Sequence, residues 1–185
     1  QSGFLLESVE HGERWSRWSF IGRNPLLTIK KVANQLLIEG EIPLEFDDDG
    51  KILELVRELQ RNLSAPQIEN FPPMYSGLLG YLGYDIVREI EDLPPPANDD
   101  LQVPDAILSI IGEVAAFDHW SQRVFLIANA IVKPQSSESE IKETYYETKS
   151  RLDSLMLDGA KPLSEPLLDP PDLKIDLVEV KPTIS

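Results

Sequence analysis

Two β-rich runs, residues 106–117 and Arg123–Val132, flank the turn Asp118-His-Trp-Ser-Gln122. Their β-branched and aromatic residues, interrupted by a polar turn, predict one long antiparallel hairpin, the strongest strand signal in the chain. A hairpin in isolation is marginal in water, so the rest of the chain must supply strands and helices that cover it. Residues 4–8 and 18–22 read as short strands around a turn at Gly12, and Leu26–Lys31 and Gln35–Phe46 continue the pattern around Ala33-Asn34. The chain therefore begins as a β-meander.

Helices punctuate this pattern twice. Ile52, Leu55, Val56, Leu59 and Leu63 recur at helical spacing and predict a helix with one apolar face, preceded by Asp47-Asp-Asp-Gly50, whose carboxylates suit a helix N-terminus. Ile141, Tyr145, Thr148, Leu152, Leu155 and Met156 predict a second helix over Ser139–Leu157 with a charged opposite face. Between them, Ile86–Ile90 reads as a short helix that Pro94–Pro96 ends. From Gly159 onward Pro162, Pro166, Pro170 and Pro171 break up a Leu/Asp-rich stretch, which reads as a linker or strap. The expected organisation is a domain over 1–158 followed by a Pro-rich segment over 159–185. Its expected class is α+β: a mostly antiparallel sheet or sandwich with flanking helices.

Charge and composition exclude several functions. With 32 acidic against 17 basic residues and a formal charge of −15, the chain repels phosphate backbones and anionic membranes, so neither nucleic acid nor membrane is an expected partner. It contains no cysteine, which excludes disulfides, thiolate metal sites and thiol redox chemistry. No apolar run approaches the roughly 18–20 residues of a membrane span, and residues 1–20 lack the pattern of a signal peptide. A cytoplasmic protein is expected. Gln1 is not an initiator methionine and Ser185 closes a segment without a structural stop, which reads as a piece of a longer chain.

Candidate chemistry is sparse. His11 and His119 lie in turns without a triad signature, and Ser8 lacks the Gly-x-Ser-x-Gly elbow of an exposed nucleophile, so no catalytic residue is assigned. Asp47–Asp49 lacks the alternating ligands and distal Glu of a calcium loop; it reads as a solvated helix start, and no metal site is assigned. Gly77-Leu-Leu-Gly80-Tyr-Leu-Gly83 has neither phosphate-loop spacing and reads as close backbone packing of a buried strand. The densest recognition chemistry is Leu5-Leu-Glu-Ser8 with Arg14-Trp-Ser-Arg-Trp-Ser19. Two readings stand for it. Its polar residues face solvent on an edge strand while Trp15 and Trp18 are ordinary core or half-exposed aromatics, or together they hold an amino acid with an aromatic side chain. In the second reading Glu7 or strand carbonyls pair the ammonium, and Ser8, Arg17 or a backbone N–H takes the carboxylate.

Phe4-Leu-Leu-Glu-Ser-Val-Glu10, Gly12-Glu-Arg-Trp-Ser-Arg-Trp-Ser-Phe-Ile-Gly-Arg-Asn-Pro25 and Gly77-Leu-Leu-Gly-Tyr-Leu-Gly-Tyr-Asp-Ile-Val-Arg88, in this order and spacing, resemble the N-terminal region of anthranilate synthase component I. The resemblance is strong over residues 3–90 and looser beyond. It implies an enzyme whose C-terminal chorismate-binding domain, missing here, uses Mg2+ to make anthranilate from chorismate and ammonia supplied by a glutamine amidotransferase subunit. No cofactor is implied for this segment itself. The resemblance further implies a feedback site for L-tryptophan, carried onto Leu6, Glu7 and Ser8, with Arg17 and Trp18 beside them. The large subunit of aminodeoxychorismate synthase shares the architecture, and a stand-alone amino-acid-binding module is a rival of another class. A segment parted from its catalytic half is also expected to expose apolar surface and to self-associate.

Overall fold

The computed structural model describes residues 3–9, 15–40, 50–94 and 102–162, with the backbone alone at 8, 9, 15 and 16. The predicted turn at Gly12, the Asp47–Asp49 cluster, His11 and most of the Pro-rich segment lie outside these residues. The strands are β1 (Gly3–Val9), β2 (Trp15–Arg23), β3 (Leu27–Val32), β4 (Gln35–Gly40), β5 (Leu78–Leu82), β6 (Ala106–Ile110), β7 (Glu113–Asp118) and β8 (Arg123–Ala128). Helix α1 spans Ile52–Asn62, α2 spans Glu138–Gly159, and a 3₁₀ segment covers Tyr84–Glu89. The strands form two four-stranded sheets, ordered β1-β2-β7-β8 and β4-β3-β6-β5. Every pairing is antiparallel. The α+β class expected from the sequence is the observed one.

The two sheets share a bent ribbon. In one sheet β2 pairs with β7, ending at Arg23 opposite Glu113; in the other β3 pairs with β6, beginning at Leu27 opposite Ile110. Both chains cross between sheets at the same level, through Asn24-Pro25-Leu26 on one side and Ile111-Gly112 on the other. The predicted strand 106–117 is thus two strands in two sheets. The bend has a local cause. Asn24 adopts φ 48°, Pro25 has no N–H to donate, and Gly112 lies so close to the neighbouring chain that a Cβ there would sit 1.8 Å from the Asn24 carbonyl oxygen. The Leu26 N–H donates to the Ile110 carbonyl at 3.0 Å and resumes the ladder beyond the bend.

Each sheet has its own core. Leu27, Ile29, Leu36, Ala106, Leu108 and Ile110 of the second sheet pack under α1, which contributes Ile52, Leu55 and Leu59, and against Ile86. This is the apolar face the 3.6-residue period predicts. Helix α1 has no side-chain cap of its own at Lys51. Instead Glu89, at the end of the 3₁₀ segment, accepts the Ile52 and Leu53 amides at 2.9 Å each, one on each carboxylate oxygen. Lys31 of β3 closes the arrangement, 2.9 Å from Glu89 and also donating to the Gly50 carbonyl. Burial alone would raise the Glu89 pKa, but the two amides and Lys31 outweigh it and hold the carboxyl below its ordinary value.

The first sheet packs Phe20, Val114, Ala116 and Ile127 with Ile111, backed by Phe4, Trp18 and Phe125 and by Phe71, Met74 and Tyr75 from the preceding loop. Strand β5 carries the glycine motif, and close packing is its role: a Cβ on Gly80 would lie 1.8 Å from the Ile107 carbonyl oxygen. The strand is an edge rather than a buried one, with Gly80, Tyr81 and Leu82 exposed. Helix α2 begins at a capping box in which Ser137 and Glu140 bond reciprocally. It turns Thr144, Thr148, Leu152 and Leu155 inward, while Ile141, Tyr145 and Met156 of the predicted apolar stripe are exposed. No α2 residue is fully buried, and no helix among the described residues is long and apolar enough to cross a membrane.

Candidate functional site

Strands β1 and β2 pair regularly from Gly3 opposite Arg23 to Glu7 opposite Ser19, then resume at Val9 opposite Trp15. One residue of β1, Ser8, therefore faces three of β2: Ser16, Arg17 and Trp18. Such a bulge breaks the strict alternation of a strand and re-aims the side chains within it. Of the five sequence-predicted site residues, Ser8, Arg17 and Trp18 fall within this irregularity, and Leu6 and Glu7 immediately precede it. The backbone brings all five to one end of the β1–β2 pair.

Their side chains do different things. Leu6 pairs with Phe20, on the face that carries the first sheet's core, yet it remains 39% exposed; Glu7 is exposed on the opposite face beside Ser19. Trp18 is half-buried in the core, stacked on Phe20 at 6.0 Å and tilted against Phe125 at 6.0 Å. Arg17 is held from the adjacent strand, β7. Its Nε and Nη2 donate to Asp118 Oδ1 and Oδ2 at 3.1 and 2.9 Å, a bidentate pair, and the guanidinium lies 4.9 Å from the Trp18 ring centroid and 5.3 Å from that of Trp120. Asp118 also accepts the Trp120 and Ser121 amides, at 3.1 and 3.4 Å. These donors, Arg17 foremost, hold its carboxyl well below the usual carboxylate range against the opposing effect of burial.

His119, next in the same turn, is within 2.8 Å of the Ser19 hydroxyl through Nε2, and its amide donates to the Arg17 carbonyl at 2.9 Å. The β7–β8 turn thus braces the irregular end of β2 through a carboxylate, an imidazole and an indole. What this arrangement can do chemically is bind: donors, a carboxylate and aromatic rings gather around an interrupted ladder. Among the described residues, no group of three His, Asp or Glu side chains is placed to hold a metal ion.

The chain is 38% identical over 166 residues to anthranilate synthase component 1 of Mycolicibacterium smegmatis, covering 89% of this chain and 30% of that protein. It is 35% identical over 164 residues to the component 1 of Arthrobacter globiformis, covering 89% and 31%. The chain belongs to the anthranilate synthase component 1 family. It spans about a third of the length of these relatives. The fold agrees with that of a crystal structure of anthranilate synthase component I from Streptococcus pneumoniae, with a TM-score of 0.57, 20% identity, and coverage of 85% of this chain and 32% of that one. No protein-family model matches the chain.

Two features of this segment escape a reading of its sequence. Asp118 and Arg17 stand 101 positions apart, and only the antiparallel pairing of β2 with β7 joins them. The signal available was Asp118 as a turn residue, which its bonds to the following amides explain. A cavity of about 260 Å3 also opens at the seam of the two sheets, between the beginning of β1 and the face of β3 and β6 turned away from α1. None of Leu6, Glu7, Ser8, Arg17 and Trp18 lines it.

Proposed function

We propose that this chain is the N-terminal, regulatory portion of an anthranilate synthase component I, and that the irregular end of β1–β2 is one wall of a feedback site for L-tryptophan. The observation that carries the reading is the register break itself, which sets Ser8 against Ser16, Arg17 and Trp18 at the point where the family motif lies. An amino acid seated there would meet an exposed carboxylate at Glu7 for its ammonium group and the Ser8 hydroxyl for its carboxylate. Leu6 and the aromatic cluster offer apolar surface to a ring. Arg17 is already paired with Asp118, so its part is to stiffen the wall and to place positive charge nearby rather than to grasp the ligand alone.

The other wall, and the chemistry, belong in this reading to a C-terminal chorismate-binding domain of the same polypeptide, with Mg2+ and a glutamine amidotransferase subunit supplying the conditions for amination. The full enzyme would release anthranilate for tryptophan synthesis in the cytoplasm. The described residues offer no ligand set for the metal, so no step is assigned to it here. Residues 159–185 would lead from the regulatory domain, 1–158, toward the catalytic one. Inhibition follows as a population shift: tryptophan bound between the domains favours an arrangement not closed around chorismate, a coupling of about 1–3 kcal/mol.

The test is tryptophan inhibition of the full-length enzyme carrying Ser8→Ala. Weakened inhibition with unchanged activity in the absence of tryptophan supports the assignment; unchanged inhibition overturns it. Calorimetry on the isolated 185-residue chain is expected to show weak or no tryptophan binding, since half a site is present. Tight binding there would favour a stand-alone amino-acid-binding module.

A further inference from the structure

The cavity at the seam of the sheets has a character the rest of the chain does not. In a protein of 32 acidic and 17 basic residues, the side chains lining it include Arg23 and Lys30 and no carboxylate. Its apolar wall comes from Phe4, Leu79 and Ile107. Thr28 and Ser109, cross-strand partners on β3 and β6, contribute two hydroxyls 2.9 Å apart. A hydroxyl carries one proton, so a bond between the two uses one and leaves the other to donate. Thr28 is 5% exposed, and its hydroxyl is therefore a donor or acceptor fixed in a largely water-excluded wall.

Both cations keep capacity for a ligand. Arg23 donates through Nε to Glu113 at 2.8 Å and through Nη1 to Asp158 at 2.6 Å, two of its five N–H groups. Lys30 donates to Glu39 at 2.6 Å, one of its three. Glu113, Asp158 and Glu39 anchor these side chains from outside the cavity lining. Their charges are matched by these carboxylates, so what the rim offers a ligand is a set of unused N–H donors beside the hydroxyl pair, at the edge of an apolar wall; such a convergence suits a carboxylate carried on an apolar body.

We propose that this cavity is a binding site for a small carboxylic acid with a planar or branched apolar body, its ring or chain against Phe4, Leu79 and Ile107 and its carboxylate toward Lys30, Arg23 and the hydroxyl pair. The volume limits the ligand to about ten non-hydrogen atoms, below the drug-sized molecules that fill pockets of roughly 300–1,000 Å3. The site is separate from the irregular end of β1–β2 and stands whether or not that end binds tryptophan.

Titration of the 15N-labelled 185-residue chain with benzoate, and separately with benzamide, tests it. Benzoate is expected to shift the Thr28, Leu79 and Ser109 amides with Kd on the order of 1 mM, as suits a ligand of this size. Benzamide is expected to bind about tenfold more weakly, and Lys30→Met to weaken benzoate by a similar factor. Lys30 is partly exposed, so this variant should keep its fold, which its melting curve checks. Ser109→Leu, which fills the cavity, is expected to abolish the shifts. Equal affinity for benzamide, indifference to Lys30→Met, or shifts that avoid the three named amides would each overturn the proposal.

Discussion

Glu89→Gln tests how a helix with no cap of its own is held. In the wild type, one carboxylate satisfies two of the four orphan amides of α1 and neutralises Lys31, with side chains only 7% and 9% exposed. Glutamine keeps the shape but has one acceptor oxygen, and its NH2 must face either an amide N–H or the Lys31 ammonium. Removing one member of a buried ion pair costs about 3–5 kcal/mol, and losing a cap bond about 1 kcal/mol. Because the glutamine oxygen retains one bond, the low end of this range applies, about 3 kcal/mol against a typical total of roughly 5–15 kcal/mol. Urea unfolding followed by circular dichroism should show a lower midpoint at unchanged slope. The pair Lys31→Met with Glu89→Leu separates charge from capping. It removes the stranded cation but leaves the Ile52 and Leu53 amides without their carboxylate, so it should be no less stable than Glu89→Gln and short of wild type. A loss under about 0.5 kcal/mol for Glu89→Gln, the size of an ordinary surface substitution, would refute the reasoning. The sign with pH is also set: a carboxyl whose folded pKa is depressed contributes fully above its unfolded value of about 4.3, and the contribution is lost as pH falls through the folded value. Glu89→Gln should therefore flatten the acid limb of the stability curve.

Gly112→Ala should destabilise by more than the about 1–3 kcal/mol of ordinary overpacking, because its Cβ meets backbone 1.8 Å away; a melting temperature within a degree or two of wild type would count against the bend described here. Leu59→Ala, at a side chain 1% exposed beneath α1, should cost about 3 kcal/mol in denaturant unfolding. Asp118→Asn should release Arg17 from its bidentate pair and raise hydrogen exchange at the Trp120 and Ser121 amides, with little change in α1; unchanged exchange in that turn would contradict its bracing role.

The sequence was legible where structure is local. The period of Ile52, Leu55 and Leu59 marks the buried face of α1 because a single sheet covers it, and Ala33-Asn34 announces the β3–β4 turn, where Ala33 adopts φ 51°. The bend in the ribbon was not read, since Ile110 and Ile111 continue an apolar run across it and the signals, Pro25 and Gly112, act only when the two chains lie side by side. Half of the predicted stripe of α2, Thr148, Leu152 and Leu155, faces inward, whereas Ile141, Tyr145 and Met156 face solvent, because a helix in light contact half-buries polar residues such as Thr144 and Arg151 as readily as its larger apolar ones. At the candidate site, the family motif located the β1–β2 end, whereas the register break, the Asp118 brace and the Ser19–His119 contact depend on pairings between distant segments.

The most direct measurement is a crystal structure of the full-length protein proposed to carry this segment, grown with L-tryptophan. The ligand is expected against the irregular end of β1–β2, within hydrogen-bonding distance of Ser8, and enclosed on its other side by the proposed C-terminal domain. Tryptophan bound elsewhere, with residues 6–8 and 16–18 untouched, would contradict the proposal.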